Sequence, residues 1–166
     1  SEIFEDELTI DFNLSDDIEL TQVNLLDANL SYVIKSDFPL ELETTIIFPS
    51  AFRYGNEIVH TVIVQNTGMN DSIVGNIDFS TSELLLDQDP DQAFNRLKAE
   101  VHVKINNPPN TPMVFEADDQ IAVSIELENL EVDRVFGYFG QFFKVWYTEV
   151  GIADCFTVNG LGVFVN

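Results

Sequence analysis

Apolar and polar residues alternate strictly over several stretches of the chain, and this pattern restricts the fold more than any other feature. The segments ELTIDFNL (7–14), ANLSYVI (28–34), AEVHVKI (99–105) and QIAVSIELEN (120–129) each place apolar side chains at every second position. A period of two is typical of β-strands with one buried face. The residues expected to point inward are Leu8, Ile10, Phe12, Leu14, Ala28, Leu30, Tyr32, Ile34, Val101, Val103, Ile105, Ile121, Val123, Ile125 and Leu127.

Further strands are predicted at about 18–25, 40–48, 57–65, 73–79, 112–116, 142–150 and 155–165, separated by segments rich in Gly, Pro, Asn and Asp. One short helix is predicted at 90–98, because Asp89 can cap it and Pro90 suits its first position. We therefore expect one all-β domain over residues 1–166, an antiparallel β-sandwich of about ten strands. The alternative fold is a curved, tubular β-fold of the lipid-binding kind. The abrupt ends suggest a piece of a longer protein.

The charge of the chain is strongly acidic, with 29 Asp and Glu against 7 Lys and Arg and a net charge of −22. Such a surface repels phosphate backbones, so nucleic acid is excluded as an expected partner. No stretch has the length and apolar character of a transmembrane helix. Cys155 is the only cysteine, so no intrachain disulfide forms.

Catalytic motifs are not found in the sequence. The only histidines are His60, in a largely apolar strand, and His102, on the polar face of its strand. A hydrogen-bonded strand histidine and a solvated one explain these positions better than a catalytic base does. No nucleophile elbow and no HExxH motif is present. We therefore expect a protein that is not an enzyme.

A calcium site is the metal hypothesis that the acidic loops raise. Asp87, Asp89 and Asp91 have the spacing with which an EF-hand loop begins, but Gln92 and Lys98 stand where that loop needs Gly and Glu. Capping of the predicted helix explains the same three carboxylates. Asp118 and Asp119 in a second loop are further candidate ligands. No cofactor is otherwise predicted.

The segment VDRVFGYFGQFF (132–143) concentrates aromatic residues around two glycines. Glycine inside a strand marks a bulge, a bend or a close backbone approach, and we favour a strand that turns from one sheet into another there. The alternative is a wall of a ligand site. On that hypothesis Phe136, Tyr138 and Phe139 contact the ligand, together with Trp146, the only tryptophan.

Three segments also carry a resemblance to a known group of proteins. These are VIKSDFPLELETTIIF (33–48), FEADDQIAVSIELENL (115–130) and LEVDRVFGYFGQ (130–141). They resemble uncharacterised secreted or lipid-anchored β-rich envelope proteins of the Bacteroidota, in which an FPLEL turn and a late GYFGQ segment recur. The overlapping segment NLSYVIKSDFPLELET (29–44) is also similar to the entry into the second strand of LEA-type and tubular lipid-binding domains. The resemblance implies a periplasmic, outer-membrane-associated or extracellular location.

Three functions follow from these observations. The first is a non-enzymatic module of the cell envelope or surface that binds or assembles with protein partners, for example by adding residues 161–166 to a neighbouring sheet. The second is a carrier of lipid or another small apolar ligand, suggested by 14 phenylalanines. The third is a calcium-dependent adhesion module or a carbohydrate-binding module.

Overall fold

A computed structural model describes residues 2–13, 18–86, 95–106, 114–139, 156–159 and 162–165, together with positions 108, 110 and 112. In these residues the chain is all-β, as predicted, and contains no helix. The strands are β1 (Glu2–Asn13), β2 (Ile18–Ser36), β3 (Leu42–Arg53), β4 (Asn56–Val64), β5 (Gly68–Asp78), β6 (Ser82–Leu85), β7 (Arg96–Ile105), β8 (Ile121–Phe139), β9 (Phe156–Asn159) and β10 (Gly162–Val165).

The strands join in one continuous sheet. Their order is β5-β2-β6-β3-β7-β1-β10-β9, and β4 and β8 are added on β3 and β2. All described pairings are antiparallel except β1 with β10. The sheet is strongly curled into a half-barrel. The topology thus differs from the expected pair of separate sheets, because hydrogen bonds run through β6 from one half to the other.

The alternation predicted from the sequence sets the inner face of the sheet. Of the predicted inward residues, Leu8, Ile105, Ile121 and Val123 are partly buried and pack against the core. The others that the structure describes are at most 6% exposed; Leu14 lies outside the described residues. Alternate residues share a face of a strand, so one local pattern buries a whole row of side chains. Each buried large aliphatic side chain contributes about 1.5–3 kcal/mol.

Large side chains of the protein fill the concave face of the half-barrel. Phe48 of β3 and Phe79, which follows β5, are both 0% exposed, and their rings meet edge to face with centroids 5.0 Å apart. Leu30, Ile46 and Leu84 are equally buried around them. These residues belong to the hydrophobic core of the described part.

A buried tyrosine and a half-buried histidine meet near the edge strands β4 and β5. The Tyr32 hydroxyl lies 3.1 Å from His60 Nε2, which confirms the hydrogen-bonded strand histidine predicted from the sequence. Gly75 of β5 pairs with Tyr32, and the Tyr32 ring lies over its bare backbone. Burial raises the pKa of the Tyr32 hydroxyl.

The strands β2 and β8 are much longer than predicted. Each has 19 residues and spans roughly 60 Å at about 3.3 Å per residue. The sequence suggested a break near Leu26 and Asp27, which are both exposed. The structure instead accommodates them as register shifts between β2 and β8 on either side of Asp27. Bulges of this kind interrupt the alternation without ending the strand.

The predicted helix at 90–98 is wrong in the part that the structure describes. Asn95 has a left-handed φ of 70°, and β7 begins at the next residue; positions 90–94 lie outside the described residues. The Asn95 side chain accepts a hydrogen bond from Leu20 N at 2.6 Å and donates one to Ile18 O at 2.7 Å. Its backbone carbonyl accepts from Phe12 N at 2.7 Å. Asn95 therefore ties the starts of β2 and β7 to β1, where a helix would give none of these contacts.

Three other predictions about elements need correction or lie beyond the described chain. The described residues of 112–116 are not in a strand, and 142–150 is outside the described residues. The strand at 155–165 is a hairpin of β9 and β10. β10 is paired with β1 on its other edge, so it does not offer a free edge to a neighbouring chain.

The expected change of sheet at the glycines of 132–143 is not found in the described part. β8 stays paired with β2 through Phe139, and Gly140 lies outside the described residues. Gly137 instead allows a close backbone approach. A Cβ atom on Gly137 would lie 2.2 Å from the carbonyl oxygen of Glu19.

Candidate functional site

The aromatic residues predicted to contact a ligand lie at the end of β8. Phe136 and Tyr138 are 45% and 66% exposed, opposite Gln22 and Glu19 of β2. Both are on the outer face of the sheet, because Val135, which precedes Phe136 and points to the opposite face, is buried. Phe139 belongs to the strand, but its side chain lies outside the described part, and so does Trp146.

A groove opens where β6 joins β2 to β3. We call it the outer groove and define it by Asn24, Leu26, Phe52, Tyr54, Glu83 and Asp133. It has a volume of about 650 Å³. Its floor follows the sheet register, in which Glu83 of β6 pairs with Asn24 on one side and Phe52 on the other. Neighbouring strands thus place a carboxylate between an amide and an aromatic ring.

Two residues of the groove have an unusual backbone conformation. Tyr54, in the β3–β4 turn, has a φ of 52°, and Thr81, before β6, has a φ of 51°. In the described part of the chain, the other non-glycine residues with positive φ are Asn95 and Asn129. Asparagine tolerates this conformation, whereas it costs bulky and β-branched residues about 1–2 kcal/mol. Strain of this kind is concentrated at functional sites.

Arg53 holds the two turns of the groove together. Its Nη2 lies 3.0 Å from Asp78 Oδ2 and 3.2 Å from Ser80 Oγ, and its Nε donates to Ser80 O at 2.9 Å. The guanidinium also lies over the Tyr54 ring, 5.2 Å from the centroid. The hydrogen bonds from Ser80 to Asp78, strengthened by Arg53, lower the pKa of the Asp78 carboxyl. The groove is therefore a braced structure between two turns.

The polar groups of the groove are mainly acceptors. Asp133 lies 3.6 Å from Arg134 Nε, and the Asn24 oxygen accepts from Gln22 Nε2 at 2.8 Å. Glu83 forms no ion pair with any residue in the described ranges. A carboxylate accepts hydrogen bonds and donates none. A ligand of this groove must therefore supply donors.

Sequence reasoning missed the outer groove almost entirely. RYGNE (53–57) was recognised only as a turn. A signal was present in it, since a two-residue hairpin turn with positive φ favours Asn-Gly and this one has Tyr54-Gly55. The partners Asn24, Phe52 and Glu83 come from three distant segments, so their meeting depends on strand pairing.

The structure describes only two of the five proposed calcium ligands. Asp87, Asp89 and Asp91 lie outside the described residues. Asp118 is exposed, and the Asp119 carboxylate accepts a hydrogen bond from Glu116 N at 2.8 Å, which closes its own turn. That bond explains Asp119 without an ion.

A different cluster, Glu2, Glu5 and His102, brings potential metal-ligand atoms within 4.8 Å of one another. His102 Nδ1 is 3.0 Å from Glu2, and Nε2 is 3.4 Å from Glu100. The hydrogen bond with Glu2 raises the pKa of His102. Both ring nitrogens thus face carboxylates, which suits an imidazolium bridging β1 and β7.

Comparison of the chain with protein-family models, curated proteins and solved structures gave no match. In the part of the chain that the structure describes, no helix has the length and apolar character to cross a membrane. The functional argument therefore depends on the geometry of the outer groove.

Proposed function

We propose that this chain is a non-enzymatic binding module of the cell envelope or surface, and that it holds a protein partner in the outer groove. The observation that supports this most is the pair of strained residues, Tyr54 and Thr81, on the wall of one groove. A strained turn persists only when its surroundings enforce it. Here Arg53 braces the strained turns and leaves the Tyr54 side chain 75% exposed.

The aromatic residues of β8 extend the proposed binding surface. Phe136, Tyr138 and Tyr54 are all exposed on the outer face, and exposed aromatic residues are enriched where proteins bind one another. The envelope or extracellular location comes from the resemblance of the FPLEL and GYFGQ segments. This location, like the protein partner, is part of the proposal.

The other functions have less support from the described residues. A lipid carrier needs a cavity, and the concave face is packed with side chains such as Phe48 and Phe79. Assembly through residues 161–166 needs a free strand edge, and β10 lies between β1 and β9. A glycan in the outer groove is the alternative that the experiments must separate from a protein.

Site-specific photo-crosslinking tests the proposal. Tyr54 and Tyr138 are replaced separately by a benzophenone amino acid, and Val74, 66% exposed on edge strand β5, serves as the matched control position. After irradiation with an envelope extract, we expect the same protein, identified by mass spectrometry, at positions 54 and 138 but not at 74. A partner captured equally well at position 74, or a glycan in place of a protein, would contradict the proposal.

A further inference from the structure

The floor of the outer groove holds a carboxylate that none of the described cations neutralises. Glu83 is exposed between Asn24 and Phe52 and forms no ion pair with the described residues. Several cations in the described part of the chain pair with other acids. Arg53 pairs with Asp78, and Lys104 pairs with Glu43.

We propose that the outer groove receives a lysine or arginine side chain of the partner, with its cationic head on Glu83 and its stem along Phe52 and Leu26. This inference depends on the proposed function of the groove and names the group that the groove recognises. Lys and Arg bury their aliphatic stems on apolar surface while the charge stays at a polar group. The lining of the groove contains both an apolar surface and a carboxylate.

The aromatic wall fits the same ligand. A cation near the Phe52 or Tyr54 ring is attracted by the negative face of the ring. Arg53 already lies on one face of the Tyr54 ring, but its charge is balanced by Asp78 at 3.0 Å. The incoming side chain therefore meets the other face of Tyr54, or Phe52, without an uncompensated cation behind it.

The charge of the whole protein supports this choice of ligand. A net charge of −22 attracts basic segments and repels phosphates and fatty-acid carboxylates. A neutral sugar can donate hydrogen bonds to Glu83, but it gains nothing from the long-range field. The combination of field, carboxylate and ring therefore favours a basic peptide segment.

Titration with defined peptides, followed by ¹H–¹⁵N NMR, tests the inference on the full chain. The probes are short glycine peptides with capped ends and a central arginine, lysine, citrulline or acetyl-lysine. We expect the two cationic peptides to shift the amide signals of residues 52–55 and 81–85, and to bind about three- to tenfold more tightly than their neutral counterparts. Raising the salt concentration should weaken them.

The variant Glu83→Gln should lose this preference, while Glu126→Gln should keep it. Glu126 is exposed on β8 away from the groove, so both variants change the net charge by the same amount. Equal weakening by both variants, or shifts scattered over the acidic surface, would show non-specific attraction and overturn the inference. Equal binding of citrulline and arginine in the groove would refute the cation but leave the proposed function intact. In the photo-crosslinking experiment, the absence of a captured protein at position 54 would refute the proposed function itself.

Discussion

Gly137 offers the sharpest test of the fold, because its place in β8 depends on the absence of a side chain. An alanine Cβ at this position would lie 2.2 Å from Glu19 O and 2.9 Å from Leu20 Cα. Normal contacts between carbon and a carbonyl oxygen begin near 3.3 Å. The variant Gly137→Ala must therefore move the β2 or β8 backbone by about 1 Å.

The expected cost has two parts that act in the same direction. Forcing an extra carbon into a packed site costs about 1–3 kcal/mol, and each ladder hydrogen bond weakened by the shift costs about 0.5–1.5 kcal/mol. The reduced entropy of the unfolded chain returns about 0.4–1 kcal/mol. The net loss in the free energy of unfolding is about 2–3 kcal/mol, which lowers Tm by about 5–10 °C for a chain of this size.

Urea denaturation and a thermal melt of Gly137→Ala measure this loss, and hydrogen exchange locates it. Amides of residues 19–22 and 135–138 should exchange faster than in the wild type, while those of β3 and β7 keep their protection. A Tm within about 2 °C of the wild type would refute the close backbone approach. Loss of protection over the whole sheet at once would refute the local assignment.

Four other outcomes are expected. Asn95→Ala loses two side-chain hydrogen bonds and replaces a residue that tolerates a left-handed φ. Urea denaturation should show that its free energy of unfolding falls by about 2–3 kcal/mol. Asn95→Asp should lose less, because its side chain keeps the hydrogen-bond acceptor. His102→Gln should destabilise the protein most below pH 6.5, because the raised pKa of His102 contributes stability that is fully present there and is lost as the pH rises through the folded value; a deficit that grows towards pH 9 would contradict this. Gly75→Ala places a carbon 2.2 Å from the Tyr32 hydroxyl, so it should cost about 1–3 kcal/mol in the wild type and clearly less beside Tyr32→Leu in a double-mutant cycle. Calcium chloride and sodium chloride matched in ionic strength should raise Tm equally by screening the acidic surface. An additional rise with calcium that EDTA removes would support the calcium site at the aspartates of residues 87–91.

The inner face of the sheet was predictable because burial along a strand is a local property. Ala28, Leu30, Tyr32 and Ile34 alternate in the sequence and are all buried in β2. The same rule failed where a bulge changed the parity, at Leu26 and Asp27, since an insertion looks like a strand end when only one chain segment is considered. Strand length was therefore underestimated.

The pairing of the strands and the outer groove were not predictable from the sequence. β6 has only four residues, with no alternation long enough to mark it. Its Leu84 nevertheless pairs with both Val23 and Ala51, and so joins the two halves of the sheet. These contacts depend on long-range register, about which the local pattern carries no information. Phe136 and Tyr138 were singled out because aromatic excess is visible in one segment, and their role as ligand contacts stays a prediction.

The positions of the cations decide which carboxylates of this acidic chain are paired. Arg96, Lys98 and Lys104 alternate along β7, and each pairs with a carboxylate of β1 or β3 on the outer face. Exposed pairs of this kind each contribute only about 0–1 kcal/mol, but together they relieve repulsion among the carboxylates of β1 and its neighbours in the sheet. Because those cations are held on β7, the outer groove beyond β3 retains an unneutralised carboxylate, Glu83. A basic side chain of the proposed partner would meet Glu83 beside the strained residues Tyr54 and Thr81 and the Phe52 ring.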